Sequence, residues 1–139
     1  MARNMPDVVL RGSRLLLALV CCSACTANIF DGNYSDPNHP GCKRTIVVLP
    51  DGQTGNVSGA DAAGGEGAAC DGKTDVPWGP LKAYITMDPP PEEGGSIHVD
   101  FSPKGGPGSL KGEHSSGKIT WPDGNSWRRS GVVVVLRII

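Results

Sequence analysis

The chain has 139 residues, a formal net charge of -1, 38% hydrophobic and 5% aromatic residues, with 20 glycines, 12 prolines and five cysteines. That length fits one domain. A near-neutral charge without a basic stripe gives no electrostatic footprint for nucleic acid or anionic lipid, and glycine or proline interrupts every candidate window for a helix after residue 27.

Residues 1–27 read as a secretory signal peptide. Arg3, Arg11 and Arg14 precede an 11-residue small-and-apolar run, Leu15 to Cys25, and the segment ends in the small residues Ser23, Ala24, Thr26 and Ala27. Basic flank, short apolar stretch and small-residue exit are the features of such a leader. A membrane-spanning helix needs about 20 apolar residues, so no membrane span is expected. Cleavage is expected after Ala27, with Ala24 as the alternative. In a bacterial source, Cys25 is an alternative lipid-attachment site.

Cleavage after Ala27 leaves residues 28–139 as a single domain with 10 basic and 13 acidic residues, a net charge of -3. It also leaves only Cys42 and Cys70, which in an oxidising compartment have one partner each. A Cys42–Cys70 bridge closes a ring of 29 residues and on the chain-entropy model is worth about 3.5 kcal/mol. Asn33-Tyr34-Ser35 and Asn56-Val57-Ser58 place Asn33 and Asn56 as glycosylation acceptors in a eukaryotic source.

Glycine and proline make up about a quarter of residues 28–139, so order has to come from short strands between turns. Thr45 to Leu49, TIVVL, is a continuous apolar run that reads as a strand covered on both faces. Leu49-Pro50-Asp51-Gly52 and Trp121-Pro122-Asp123-Gly124 each predict a hairpin. Proline presets the second turn position, aspartate bonds forward to the backbone, and glycine accepts the left-handed conformation that follows. Asp31, Asp36 and Asp71 also stand in turn contexts that explain them without chemistry.

Ser58 to Ala69 reads as a small-residue loop. Trp78, between Pro77 and Gly79-Pro80, reads as a loop residue and the best candidate for an exposed aromatic platform. Leu81, Ala83, Ile85 and Met87 alternate with Lys82, Tyr84 and Thr86, and Ile97, Val99 and Phe101 alternate with His98 and Asp100. Both patterns are those of half-buried strands. Asp88 to Gly95 connects them, and the glycine-rich stretch after Ser102 reads as a further connection because it lacks phosphate-loop spacing. Ile119, Trp121 and Trp127 can meet across the last hairpin. Residues 131–139, VVVVLRII after Gly131, read as a hydrophobic terminal strand or a non-native tail.

The alternating strands and tight turns give the expected fold class as all-β, a small antiparallel barrel or sandwich of about seven to eight short strands; its hairpins resemble those of small extracellular ligand-binding barrels, an architectural analogy that transfers no site. No helix is expected after the leader. Candidate ligand-binding residues are Trp78, Tyr84, His98 and Asp100. The three histidines, His39, His98 and His114, are scattered along the chain and give no metal-ligand spacing, and no cofactor motif is present.

The function expected is a secreted, non-enzymatic extracellular binding module for a glycan, small ligand or protein. Two other classes compete with it. One is a secreted hydrolase using His98 and Asp100 or loop carboxylates, and the other is a structural cell-surface or matrix component.

Overall fold

The structure is a computed structural model that describes residues 28–130. The leader with its cleavage sites and Cys25, and the tail 131–139, lie outside the described residues.

Eight strands follow one another: β1 (Gly32–Ser35), β2 (Arg44–Val48), β3 (Thr54–Asp61), β4 (Val76–Met87), β5 (Gly95–Val99), β6 (Leu110–Ser115), β7 (Lys118–Thr120) and β8 (Ser126–Arg129). Each is antiparallel to the next, and β8 returns to β1 through Tyr34 opposite Arg129 and Ser35 opposite Arg128. The result is a closed up-and-down barrel. Among the described residues the only helical element is one 3-10 turn, Ser102–Lys104, and no helix is long and apolar enough to cross a membrane.

Both Pro-Asp-Gly turns close hairpins as their chemistry predicts. The Gly52 N–H donates to Leu49 O at 2.9 Å and the Gly124 N–H to Trp121 O at 3.0 Å, with φ of +67° and +86° at the two glycines. The alternating strands also behave as expected. Leu81, Ala83 and Ile85 point inward with Ile97, Val99 and Phe101, while Tyr84, His98 and Asp100 are exposed.

Three expectations are corrected. The outer face of β2 is uncovered, and Val47 is 51% exposed, because a single-walled barrel buries only the inward side chains of each strand. Ser58 to Asp61 belong to β3 rather than to a loop. Trp78 lies within β4, opposite Gly59. A one-residue register shift between Val57 and Gly59 turns it to the inner face, against the alternation set by Leu81 and Ala83.

An eight-stranded barrel has an interior just wide enough for side chains to fill, and this one is filled by aromatic residues set against glycines. Gly112 has no room for a side chain: a Cβ there would lie 2.6 Å from Ile119 Cγ2 and 2.9 Å from Trp121 Cζ3. Phe101, Trp121 and Trp127 pack edge to face, with Trp121 and Trp127 centroids 4.9 Å apart. Such pairs add about 0.5–1.5 kcal/mol each beyond the area they bury.

The two ends of the barrel differ. At the end where β1 begins, Phe30 is fully buried and stoppers the interior. The Tyr34 hydroxyl donates to Phe30 O at 2.8 Å, Arg129 donates to Ile29 O, and the His114 ring packs edge-on against Phe30 at 5.1 Å. At the other end lie the connections β1–β2, β3–β4, β5–β6 and β7–β8, since alternate links of a meander share one end. The disulfide Cys42–Cys70 ties the first of these connections to the second, with Cα atoms 5.0 Å apart.

Candidate functional site at the barrel mouth

The unstoppered end holds a cavity of 530 Å³ whose walls combine Phe101, Leu110, Trp121 and Trp127 with a set of charged side chains. Its centre is Arg44. In the strand Arg44-Thr45-Ile46-Val47-Val48 alternation puts Arg44 on the same face as Ile46, so its guanidinium enters the barrel and is 1% exposed. A cation in that position requires partners. It donates from Nε and Nη2 to Asp36 Oδ2 at 3.3 and 3.2 Å, from Nη2 to Asp61 Oδ1 at 2.9 Å, and from Nη1 to the carbonyls of Lys43 and Ala60. Its guanidinium carbon lies 5.3 Å from the Trp78 ring and 5.7 Å from that of Trp127.

The carboxylates in turn gather the surrounding loops. Asp36, 4% exposed, accepts from Asn125 Nδ2 at 3.0 Å and from the Asn38 N–H at 2.9 Å, and lies 2.9 Å from His39 Nδ1. Burial by itself would raise its pKa, but the hydrogen bonds from Asn125, Asn38 and His39 and the Arg44 charge outweigh that and hold it below the ordinary carboxylate value. Asp61 accepts from Lys104 Nζ at 2.6 Å. Its pKa is likewise lowered: burial raises it, and the Lys104 hydrogen bond and charge, with Arg44, prevail. One connected network therefore joins the β1–β2 loop, the end of β3, the β5–β6 loop and the β7–β8 turn.

The residues singled out from sequence fall in several places. Trp78 belongs to the mouth: its ring lies 4.5 Å from Lys104 Nζ and edge-on to Phe101 at 6.2 Å, and its indole nitrogen is buried with no hydrogen-bond partner among the described residues. Tyr84 and His98 face each other across β4 and β5 on the outer wall, with Lys82 over the tyrosine ring at 5.1 Å. Asp100 Oδ1 accepts the Ser102 N–H at 2.9 Å. The histidines are dispersed, with His39 at the mouth, His98 outside and His114 beside the Phe30 stopper. Among the described residues no three His, Cys, Asp or Glu side chains are grouped to hold a metal ion.

Arg44, Asp61, Lys104 and Asn125 escaped the sequence reading as site residues. For Arg44 the signal was present, since period two from Ile46 points it inward. For Lys104 and Asn125, which reach the network from loops, no periodicity exists to read. Their turn contexts account for only part of what Asp36 and Asp31 do. Asp36 does accept a local backbone N–H, but it also anchors the network, and Asp31 Oδ1 accepts the distant Val48 N–H at 2.7 Å. Asp51 and Asp71 are turn residues as expected. Asp71 is held at about 2 by the backbone and hydroxyl of Thr74 and the N–H of Lys73.

A second cavity, of 640 Å³, lies at the stoppered end between Ile29, Leu49, Met87 and Pro91. It is larger, but of its charged lining Asp31 is occupied by the Val48 N–H and Glu92 is exposed. The mouth is the place where ionisable and aromatic side chains converge.

Comparisons with protein-family models, with curated proteins and with solved structures find no match to this chain.

Proposed function

We propose that this chain is a secreted, non-enzymatic binding module that takes its ligand in the mouth of the barrel. The observation that carries this reading is the pairing of a 530 Å³ cavity with walls fixed in advance, in which the bonds of Arg44 to Asp36 and Asp61, the bond of Asn125 to Asp36 and the Cys42–Cys70 bridge already hold the lining in place. Preorganisation of this kind reduces the ordering cost of association, and an apolar wall with a few convergent polar groups is the usual form of a ligand site. The disulfide suits an oxidising compartment, and of the two glycosylation acceptors Asn33 is exposed on β1 and Asn56 is half-buried on β3.

All three tryptophans of the chain, Trp78, Trp121 and Trp127, sit at this end, so their emission reports on its occupancy. A ligand taken from a glycan, metabolite or peptide screen is expected to shift that emission. Leu110→Arg, which fills the mouth, should weaken binding by tenfold or more, whereas Tyr84→Ala and His98→Ala should leave it unchanged. Loss of binding in the outer-wall variants with retention in Leu110→Arg would place the site elsewhere.

A further inference from the structure

The two cations at the mouth are held in different ways. Arg44 is 1% exposed and bonds through Nε, Nη1 and Nη2 to carboxylates and carbonyls of the barrel itself, so it is part of the wall. Lys104 comes from the short 3-10 turn between β5 and β6, and its side chain is 20% exposed. Among the described residues its ammonium makes one hydrogen bond, to Asp61 Oδ2, and rests 4.5 Å from the Trp78 ring centre. Asp61 is itself 31% exposed. A carboxylate beside an aromatic face is the environment that recognises an organic cation, and here a side chain on a long flexible stem already fills it.

The charges of the cavity lining point the same way. Asp36, Asp61, Glu66 and Asp123 outnumber Arg44, Lys104 and His39, whose Nδ1 lies 2.9 Å from Asp36 Oδ2. Arg44 is committed to Asp36 and Asp61 and His39 lies against Asp36, so among the lining residues an anionic ligand would meet Lys104 beside the exposed carboxylates of Glu66 and Asp123. Once Lys104 swings out, the vacated position offers Asp61 and the Trp78 ring to an incoming positive group.

We propose that the mouth binds an organic cation, a primary ammonium or guanidinium group, and that Lys104 is an internal competitor that the ligand displaces. The inference rests on the mouth being the binding site and names the chemistry of its ligand. The group can belong to a free polyamine or to a basic side chain of another protein, since both present the same cation. A partly exposed ion pair combined with a cation–π contact is a modest competitor, so its removal is expected to tighten binding about three- to tenfold.

Calorimetry and tryptophan emission on the full chain test this with three probes: spermidine for a free amine, a short Lys-Gly repeat peptide for tethered side chains, and the neutral disaccharide cellobiose. Lys104→Ala and Lys104→Met should both bind the cationic probes about three- to tenfold more tightly than the parent chain. Asp61→Asn should weaken them at least tenfold, and added salt should weaken them in every variant. Folding of each variant is checked by its amide NMR spectrum, and the two Lys104 variants guard against loss of either one. Preference for the peptide over spermidine would assign the cation to a protein partner, and the reverse to a free amine.

Unchanged or weaker binding in both Lys104 variants would overturn the proposal, as would cellobiose binding at least as tightly as the amines. The latter result would leave the mouth as the binding site. Failure of the cationic probes, of cellobiose and of a broad ligand screen to move any tryptophan signal would remove both readings together.

Discussion

Removing the Arg44 side chain would leave Asp36 buried without its cation, which is the costly way to break such a pair. Arg44→Met is therefore expected to lower unfolding free energy by about 3 kcal/mol in urea. The double variant Asp36→Asn/Arg44→Met should recover part of that loss, because the two residues share one network. By contrast Tyr84→Ala, at an outer-wall position 54% exposed, should change stability by about 0.5 kcal/mol or less. The residue scale is also where sequence reading reached least far. Hydrophobic alternation finds the inward positions, but it does not say that a charged residue at one of them is a partnered wall element, since its partners stand on other elements that only the folded barrel brings to it. Asp36 illustrates this: its turn role is local and legible, while its bonds to Arg44 and Asn125 span 8 and 89 residues.

Individual strands and hairpins were the most legible level, because period-two patterning and Pro-Asp-Gly turns are short-range physics. Gly124 holds φ at +86°, where a side chain meets backbone. Gly124→Ala is expected to cost about 1–2 kcal/mol, seen as a lower urea midpoint with an unchanged slope. The strand β4 was less legible. Its first half carries Pro77, Gly79 and Pro80, which read as loop, yet the pairing with β3 continues through a bulge as far as Val76. That bulge inverts the face on which Trp78 falls. The disulfide joins two elements of the mouth, and the paired substitution Cys42→Ser/Cys70→Ser should lose about 3.5 kcal/mol with its sequence separation of 28.

For the whole molecule, sequence left barrel and sandwich equally open, since both ask for alternating strands and tight turns. What decides between them is the pairing of β1 with β8, which no local signal encodes. Global stability also carries a pH signature from the stoppered end. Burial first, then the nearby Arg129 charge, lowers the pKa of His114 from its ordinary 6.5, and neither ring nitrogen has a hydrogen-bond partner among the described residues. As pH falls through 6.5 the unfolded chain takes up this proton before the folded one. Stability is therefore full above that value, declines below it, and levels off once the folded form is protonated too. The melting temperature should begin to drop as pH falls through 6.5, above the range in which the lowered Asp36 and Asp61 titrate. His114→Leu should flatten the decline, and an equal slope in both proteins would refute the assignment.

The seam between the first and last strands has a consequence for biogenesis. Ser35 and Arg128, which meet there, are 93 residues apart, so a chain emerging from its N-terminal end cannot seal the cylinder until β8 has been made. Until then Gly32–Ser35 is a raw β-edge able to recruit strands from neighbouring nascent chains. A product halted before Ser126 would stay open along that side, and self-association rather than a smaller soluble domain is the expected fate of such a fragment.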